Sequence, residues 1–116
     1  MGYVLVVDDE PHIRQLLRQE LNEIGYQVIE ASDGDAALNQ ARLARPGLII
    51  LDLFMPSISG FAVLGALRAD TETAHIPVIV LSVAIEEASR SLELGAKTCL
   101  AKPVNVEKLL DSIEVP

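Results

Sequence analysis

The sequence has few aromatic and few basic residues. Its 116 residues include no tryptophan, two tyrosines and two phenylalanines, and nine lysines and arginines stand against seventeen aspartates and glutamates, for a net charge of −8. A protein that binds nucleic-acid phosphates needs clustered Lys and Arg. The composition therefore argues against direct nucleic-acid binding, and we expect any effect on DNA to require another chain or a further domain.

Cysteines and long apolar runs are also scarce. Cys99 is the only cysteine, so no internal disulfide can form, which fits a reducing compartment. The longest uncharged run, residues 53–67, contains Pro56 and falls short of the ~18 residues that a membrane span needs. No signal peptide is visible at the N-terminus, and we expect a soluble, cytoplasmic protein without membrane insertion.

The hydrophobic content predicts one folded domain. Half of the residues are hydrophobic, which argues against intrinsic disorder. A chain of this length organises a single core. We therefore expect one domain over residues 1–116, which a longer multidomain protein could contain.

Two kinds of pattern alternate along the chain. Continuous apolar runs at residues 4–7, 48–51 and 78–81 are typical of strands that are covered on both faces of a parallel sheet. Residues 27–31 and 98–101 predict weaker strands nearer the sheet edges, and a helical pattern follows each strand. The alternation predicts five βα units, that is, a parallel sheet with helices on both faces.

Start and stop residues mark the helical segments. Pro11 can open the first helix and Gly25 can close it. Residues 46–47 end the second helix, Gly95 follows the fourth, and Asn105 is the expected N-cap of the fifth. The predicted apolar face of the first helix consists of Ile13, Leu16, Leu17, Leu21 and Ile24.

Polar side chains follow four of the predicted strands. Asp8 and Asp9 follow the first strand, Asp52 the third, Ser82 the fourth and Lys102 the fifth. The carboxyl ends of parallel strands lie at one edge of the sheet, where ligands of such folds bind. We expect these five side chains to converge there.

Each of these residues also has a purely structural interpretation. Asp8 or Asp9 could cap the first helix, Ser82 could bond to nearby backbone, and Lys102 could be a solvated surface charge. Asp52 is harder to explain in this way, because a carboxylate that leaves so apolar a strand loses hydration unless a cation or a donor meets it.

Converging carboxylates suit a hard cation and phosphoryl chemistry. Three close carboxylates repel one another unless positive charge lies among them, and Mg²⁺ binds through a few carboxylates, waters and phosphate oxygens. Lys102 would add positive charge and Ser82 a hydrogen-bond donor for a transferring phosphoryl group. Asp52 is then the best-placed nucleophile. We expect no soft-metal site, since both histidines are isolated and Cys99 has no partner.

Taken together, these residues resemble the receiver domain of two-component response regulators. The resemblance rests on Asp8-Asp9, on residues 52–56 with Gly60 after them, on Ser82, and on Lys102-Pro103 following Gly95-Ala96. It covers about residues 4–113. It implies an α/β fold, a doubly wound, flavodoxin-like (βα)5 arrangement whose five-stranded parallel sheet has the order 2-1-3-4-5.

The resemblance also implies a metal site. Asp9, Asp52 and the backbone carbonyl of Phe54 would hold Mg²⁺, for which Mn²⁺ could substitute. Asp8 would support the metal, often through water. The bond between Lys102 and the following proline would be cis, as is usual in this family.

A signalling role follows from the same resemblance. Asp52 would accept a phosphoryl group from a sensor histidine kinase or phosphotransfer protein, and Ser82 and Lys102 would contact the phosphoryl oxygens. The chain would be a switch rather than an enzyme, with at most autophosphorylation from small donors and self-dephosphorylation. It would control an output domain or protein, and a phosphorylation-dependent dimer is one form that this control could take.

The sequence departs from the family in the region that reports phosphorylation. Cys99 stands three residues before Lys102, where the family usually has Tyr or Phe, and Val104 replaces a common Phe. Val83 replaces a customary Ala, and residues 82–95 form a shorter stretch than usual. We expect the phosphorylation chemistry to be intact and its read-out to be atypical.

Two other functions fit part of the pattern. A phosphohydrolase of the haloacid dehalogenase type also uses a strand-end Asp with Mg²⁺, but it needs a second Asp two residues after the nucleophile, where Phe54 stands. A degenerate receiver that only binds partners is the other alternative. The complete set of strand-end residues argues against it.

Overall fold

The computed structural model describes residues 3–55 and 58–114. Within these ranges the chain forms five strands and five helices, which alternate without exception. The strands are β1 (Tyr3–Val7), β2 (Gln27–Ala31), β3 (Leu48–Asp52), β4 (Val78–Ser82) and β5 (Thr98–Ala101). The helices are α1 (Pro11–Glu23), α2 (Gly34–Ala44), α3 (Gly60–Ala69), α4 (Ile85–Glu93) and α5 (Val106–Glu114).

The strands form one parallel sheet in the order β2-β1-β3-β4-β5. This order confirms the predicted doubly wound (βα)5 fold, with the two weaker strands at the edges. Strand order reverses between β1 and β3, where Val7 pairs with Leu51. The residues that follow these two strands therefore emerge side by side, at the position where such sheets bind ligands.

The sheet separates two hydrophobic cores. Residues of α2 and α3 pack on one face and residues of α1 and α5 on the other, while α4 packs against β4 and β5. Every residue of β3 and β4 is buried. The continuous apolar runs of these strands are thus covered on both faces, as predicted.

Most predicted helix ends are confirmed. Pro11 occupies the first turn of α1, and the Asn105 side chain accepts a hydrogen bond from the backbone N–H of Lys108 at 3.1 Å. The predicted buried face of α1 was too wide, since Leu17 and Leu21 are buried but Leu16 and Ile24 are exposed. No helix in residues 3–55 and 58–114 is long and apolar enough to cross a membrane.

Candidate functional site

The carboxyl ends of β1, β3 and β5 bring two carboxylates and an ammonium group together. Lys102 Nζ lies 3.2 Å from Asp8 Oδ2 and 3.2 Å from Asp52 Oδ2. Asp8 is fully buried, Asp52 is 2% exposed, and the Lys102 side chain is 16% exposed. Lys102 is therefore no solvated surface charge, and the structure brings these three side chains together as the sequence predicted.

Asp9 completes the acidic cluster from its exposed side. One carboxylate oxygen from each of Asp8, Asp9 and Asp52 lies within 4.8 Å of the other two. Asp9 is exposed, and no hydrogen bond or ion pair to its carboxylate occurs among residues 3–55 and 58–114. Three oxygen donors, one of them uncommitted, match the ligand preference of Mg²⁺.

The alternative in which these aspartates cap the first helix is wrong. Asp8 Oδ1 accepts a hydrogen bond from the backbone N–H of Glu10 at 2.9 Å, which closes a local turn. Glu10 is the N-cap residue of α1, and its side chain makes no capping hydrogen bond. The acidic pair therefore serves the edge of the sheet rather than the helix terminus.

The Asp52 carboxylate is held at both oxygens. Its Oδ1 accepts a hydrogen bond from the backbone N–H of Phe54 at 3.1 Å, and its Oδ2 faces Lys102. Burial is the main cause that raises the pKa of Asp52 from 3.8 to about 6. The hydrogen bond from the Phe54 N–H lowers this pKa, the negative charge of Asp8 raises it, and the positive charge of Lys102 lowers it. A carboxylate of raised basicity beside a cation is suited to nucleophilic attack.

Lys102 stays protonated in this environment. Burial lowers its pKa, but the charges of Asp52 and Asp8 more than offset burial, so its pKa lies above the ordinary 10.5. The bond between Lys102 and Pro103 is cis, as the resemblance implied. The ammonium is thus a permanent positive charge between two buried carboxylates.

Gly60 allows the loop after Asp52 to fold back onto β3. Its N–H donates to the carbonyl of Leu53 at 2.8 Å. A Cβ at position 60 would lie 2.5 Å from the carbonyl oxygen of Asp52, so no other residue fits without a backbone shift. Pro56, the last residue of the segment 52–56 on which the resemblance rests, lies outside the described residues.

Ser82 lies at the end of β4 but does not contact the carboxylates or Lys102 through its side chain in the part of the chain described here. Its Oγ donates to the carbonyl of Ala84 at 3.1 Å and accepts from the N–H of Ala84 at 3.1 Å. The prediction that Ser82 could bond to nearby backbone is therefore confirmed for this state. Only its carbonyl connects it to Lys102, whose N–H donates to it at 2.8 Å.

Phe54 follows Asp52 on the surface of the site. The residue is 49% exposed, and its backbone N–H donates to Asp52 Oδ1. The predicted metal contact involves the carbonyl of the same residue. The side chain of Phe54 is an apolar ring, so it adds no hydrogen-bonding group to the site.

A cavity of about 160 Å³ lies between β4, the start of α4 and β5. It is lined by Ser82, Val83, Ala84, Ala88, Cys99 and Ala101. Cys99 is half-buried, and burial raises the pKa of its thiol, against the lowering effect of a hydrogen bond with Ser91. The thiol is therefore not activated as a nucleophile.

Arg14 is a residue of the site that sequence reasoning missed. Its Nη1 donates to the backbone carbonyl of Asp8 at 2.6 Å, and its Nε lies 3.1 Å from Glu30 Oε1. The available signal was its position one helical turn after Pro11, on the helix that leaves the acidic pair. Arg18, one turn further along the same helix, is a second candidate, so the sequence alone does not single out Arg14.

Comparisons with known proteins agree with this geometry. The family model described as response regulator receiver domain matches residues 4–114. The probable transcriptional regulator ycf27 of Cyanophora paradoxa is 41% identical over 108 residues, which are 91% of this chain and 44% of that protein. The chain thus spans about half the length, or less, of the curated relatives it matches.

Two solved structures illustrate the similarity in three dimensions. Chemotaxis protein CheY4 of Vibrio cholerae superposes with a TM-score of 0.90 at 36% identity, covering 98% of this chain and 97% of that one. Response regulator protein TrrA of Thermotoga maritima, solved in complex with Mg²⁺-BeF, superposes with a TM-score of 0.88 at 36% identity, with coverage of 98% and 97%.

Proposed function

The chain belongs to the family of response regulator receiver domains, and on this premise we propose that Asp52 is its phosphoryl acceptor. Receiver domains are signalling domains. The observation that carries the proposal is the position of Lys102 Nζ, 3.2 Å from the carboxylates of both Asp8 and Asp52. Of these two carboxylates, only that of Asp52 ends the central strand.

The proposed reaction is a transfer from a phosphohistidine. An oxygen of Asp52 attacks phosphorus, a P–O bond forms, and the P–N bond to the donor imidazole breaks with its electron pair, after which the imidazole nitrogen takes up a proton. Lys102 offsets the charge of the phosphoryl oxygens throughout. Ser82 would donate to the same oxygens once its hydroxyl leaves the carbonyl of Ala84.

The residues present fit a magnesium ion. Asp9 and Asp52 would hold it with the backbone carbonyl of Phe54, and Asp8 would support it through water. When bound, Mg²⁺ would offset negative charge on the carboxylates and on the phosphoryl group. The uncommitted carboxylate of Asp9 supports this assignment, as does the Mg²⁺-BeF complex of the similar TrrA. Mn²⁺ could take the same place.

We further propose that residues 1–116 form one receiver domain within a longer regulator or beside a separate partner. The donor would be a sensor histidine kinase or phosphotransfer protein in the cytoplasm. Similar proteins are named transcriptional regulators and are about twice as long. Their length supports a separate output domain, and that domain rather than the receiver would contact DNA. A phosphorylation-dependent dimer would be one route to that output. The chain itself would have no catalytic turnover beyond self-phosphorylation and self-dephosphorylation.

A labelling experiment tests the acceptor assignment. Wild type, Asp52→Asn and the control Asp111→Asn, an exposed position on α5, are incubated with acetyl phosphate and Mg²⁺ and analysed by intact mass and peptide mapping. We expect one phosphoryl group on wild type and on the control, located at Asp52, and none on Asp52→Asn. Equal labelling of all three proteins would show that Asp52 is not the acceptor.

A further inference from the structure

Arg14 links the acidic pair after β1 to the edge strand β2. Its guanidinium donates from Nη1 to the Asp8 carbonyl at 2.6 Å and from Nε to Glu30 Oε1 at 3.1 Å. The Arg14 side chain is 16% exposed. We propose that Arg14 is a positioning residue for the metal site, which fixes the peptide between Asp8 and Asp9 and thereby aims Asp9. This inference rests on the proposed function, because it concerns the same Mg²⁺ site.

Asp8 is held at every polar group. Its N–H donates to the carbonyl of Ala31 at 3.2 Å, and its carbonyl accepts from Arg14. Its Oδ1 accepts from the N–H of Glu10, and its Oδ2 accepts from Lys102 Nζ. Three of these contacts hold the strand end and the side chain. Among the described residues, only the Arg14 contact holds the carbonyl of the peptide that continues into Asp9.

That peptide determines where Asp9 begins. A peptide unit is planar, so a donor that fixes the carbonyl of Asp8 also fixes the N–H and the Cα direction of the next residue. The Asp9 side chain has no partner among the described residues, and on its other side the turn closed by Asp8 Oδ1 and the Glu10 N–H spans this residue. Its carboxylate nevertheless lies within 4.8 Å of those of Asp8 and Asp52. We attribute part of that convergence to the peptide that Arg14 holds.

Arginine suits this role because its guanidinium donates in two directions from one rigid plane. The Glu30 carboxylate accepts from Nε and balances the charge of the guanidinium, while Nη1 reaches the carbonyl of Asp8. Residues that orient metal ligands without touching the metal typically change metal affinity about 10–100-fold when they are mutated. We place the expected effect of removing Arg14 at the lower end of that range, about tenfold, because Lys102 still holds the Asp8 side chain.

The sign of the effect separates positioning from plain electrostatics. Removing a positive charge near a cation site should strengthen Mg²⁺ binding if charge alone matters. Positioning predicts the opposite, because Asp9 would have to be ordered by the metal itself. Arg14→Ala should therefore bind Mg²⁺ more weakly although the site becomes more negative.

Arg18 provides a matched control. Its Nε lies 2.9 Å from Glu30 Oε2, and its Nη2 donates to the carbonyl of Val28 at 3.2 Å. Arg18→Ala thus removes the same charge from the same helix and the same Glu30, but it leaves the contact with Asp8 in place. Any difference between the two variants isolates that contact.

Mg²⁺ affinity is measured for wild type, Arg14→Ala and Arg18→Ala from the amide resonances of Asp9 and Glu10 at increasing Mg²⁺, without a phosphodonor. We expect an about tenfold higher Kd for Arg14→Ala and an unchanged or lower Kd for Arg18→Ala. Binding by Arg14→Ala as tight as by Arg18→Ala overturns the inference alone. A wild-type protein that does not bind Mg²⁺ overturns the proposed function together with it.

A second substitution covers the case in which Arg14→Ala does not fold. Arg14→Lys keeps the charge, but a single ammonium cannot reproduce the two-sided fork that reaches Glu30 and Asp8. We expect it to weaken Mg²⁺ binding measurably while its thermal unfolding stays close to that of wild type. Wild-type affinity in this variant would overturn the inference.

Discussion

Two neighbouring regions at the edge of the sheet use their polar groups in opposite ways. The acceptor region consists of Asp8, Asp9, Asp52 and Lys102, and its two buried carboxylates make ion pairs and hydrogen bonds at both oxygens. The reporting region consists of residues 82–94 together with Cys99. Within this region the Ser82 hydroxyl makes its hydrogen bonds to the backbone of Ala84, in its own loop.

The two regions also differ in packing. Asp8 and Asp52 of the acceptor region are 0% and 2% exposed and lie at the ends of β1 and β3. The reporting region borders a cavity of about 160 Å³ and carries Val83, which is 70% exposed. Tight packing and complete hydrogen bonding resist movement, whereas free volume and local bonds permit it. A phosphoryl group would therefore meet a fixed acceptor and a loop that has room to rearrange.

The largest expected effect concerns the stability cost of the acceptor region. The pKa of Asp52 is about 6 in the folded protein against 3.8 for the ordinary group, so the folded state binds this proton more tightly than the unfolded state. The stability contributed by Asp52 therefore falls as pH rises from about 4 to about 6 and then levels off. In metal-free buffer above pH 7, we expect Asp52→Asn to be more stable than wild type by about 2–3 kcal/mol.

Urea unfolding at pH 4 and at pH 7.5 measures this difference. The gain from Asp52→Asn should be small at pH 4 and large at pH 7.5, and Asp111→Asn serves as the control at an exposed aspartate. An equal gain in the free energy of unfolding at both pH values would mean that ionisation of the buried Asp52 carboxylate does not destabilise the fold. The acceptor region would then carry no stability cost that the reporting region lacks.

The next effect separates the roles of the two adjacent aspartates. The Asp9 carboxylate is exposed and has no partner in the described part of the chain, whereas Asp8 is buried and bonded to Lys102. We expect Asp9→Ala to weaken Mg²⁺ binding about tenfold more than Asp8→Ala does, a difference of about 1.4 kcal/mol. Amide shifts near Asp52 at increasing Mg²⁺ provide the measurement. Both variants lose one negative charge, so equal Mg²⁺ affinities would mean that Asp9 is not a direct ligand of the metal.

A smaller effect concerns the lifetime of the phosphorylated state. The half-exposed ring of Phe54 offers no hydrogen bond to a water molecule that attacks the phosphoryl group. We expect Phe54→Asn to shorten the lifetime several-fold in a loss-of-label assay, because an amide can orient that water. Leu43→Asn, at an exposed position on α2, is the control. A lifetime that stays the same or lengthens would place the water path elsewhere.

The smallest expected effect is that of Cys99→Ala on phosphorylation. The thiol is small and contacts the reporting region rather than the carboxylates, so we expect the labelling rate from acetyl phosphate to match that of wild type. Ser82→Ala should also accept the phosphoryl label, but its amide resonances should change less on phosphorylation than those of wild type. If Cys99→Ala loses the structural response and Ser82→Ala keeps it, then Cys99 is the switch.

The acceptor region could be predicted from the sequence because strand periodicity fixes which residues emerge at the sheet edge. Asp52 and Lys102 each follow a short apolar run, and parallel strands deliver both to the same place. Arg14 could not be predicted, because Arg18 also lies between an aliphatic residue and a glutamine on the same helix, and both arginines pair with Glu30. Only the packing of α1 against β2 decides which guanidinium reaches Asp8.

Helix periodicity was less reliable at its margins. Leu17 and Leu21 lie at the centre of the buried stripe of α1, and Leu16 lies about one residue's rotation, roughly 100°, away from it. Ile24 is the C-cap residue beyond the last turn. The local bonding of Ser82 also escaped a firm prediction, since a hydroxyl at a strand end can turn towards a ligand or towards its own loop.

The most direct test of the account is a map of amide shifts on addition of beryllofluoride, a phosphoryl mimic, with Mg²⁺. We expect large shifts around Asp52 and from Ser82 to Leu92, and smaller ones at Thr98 to Leu100. Shifts that are largest around Cys99, with residues 82–92 unchanged, would contradict it.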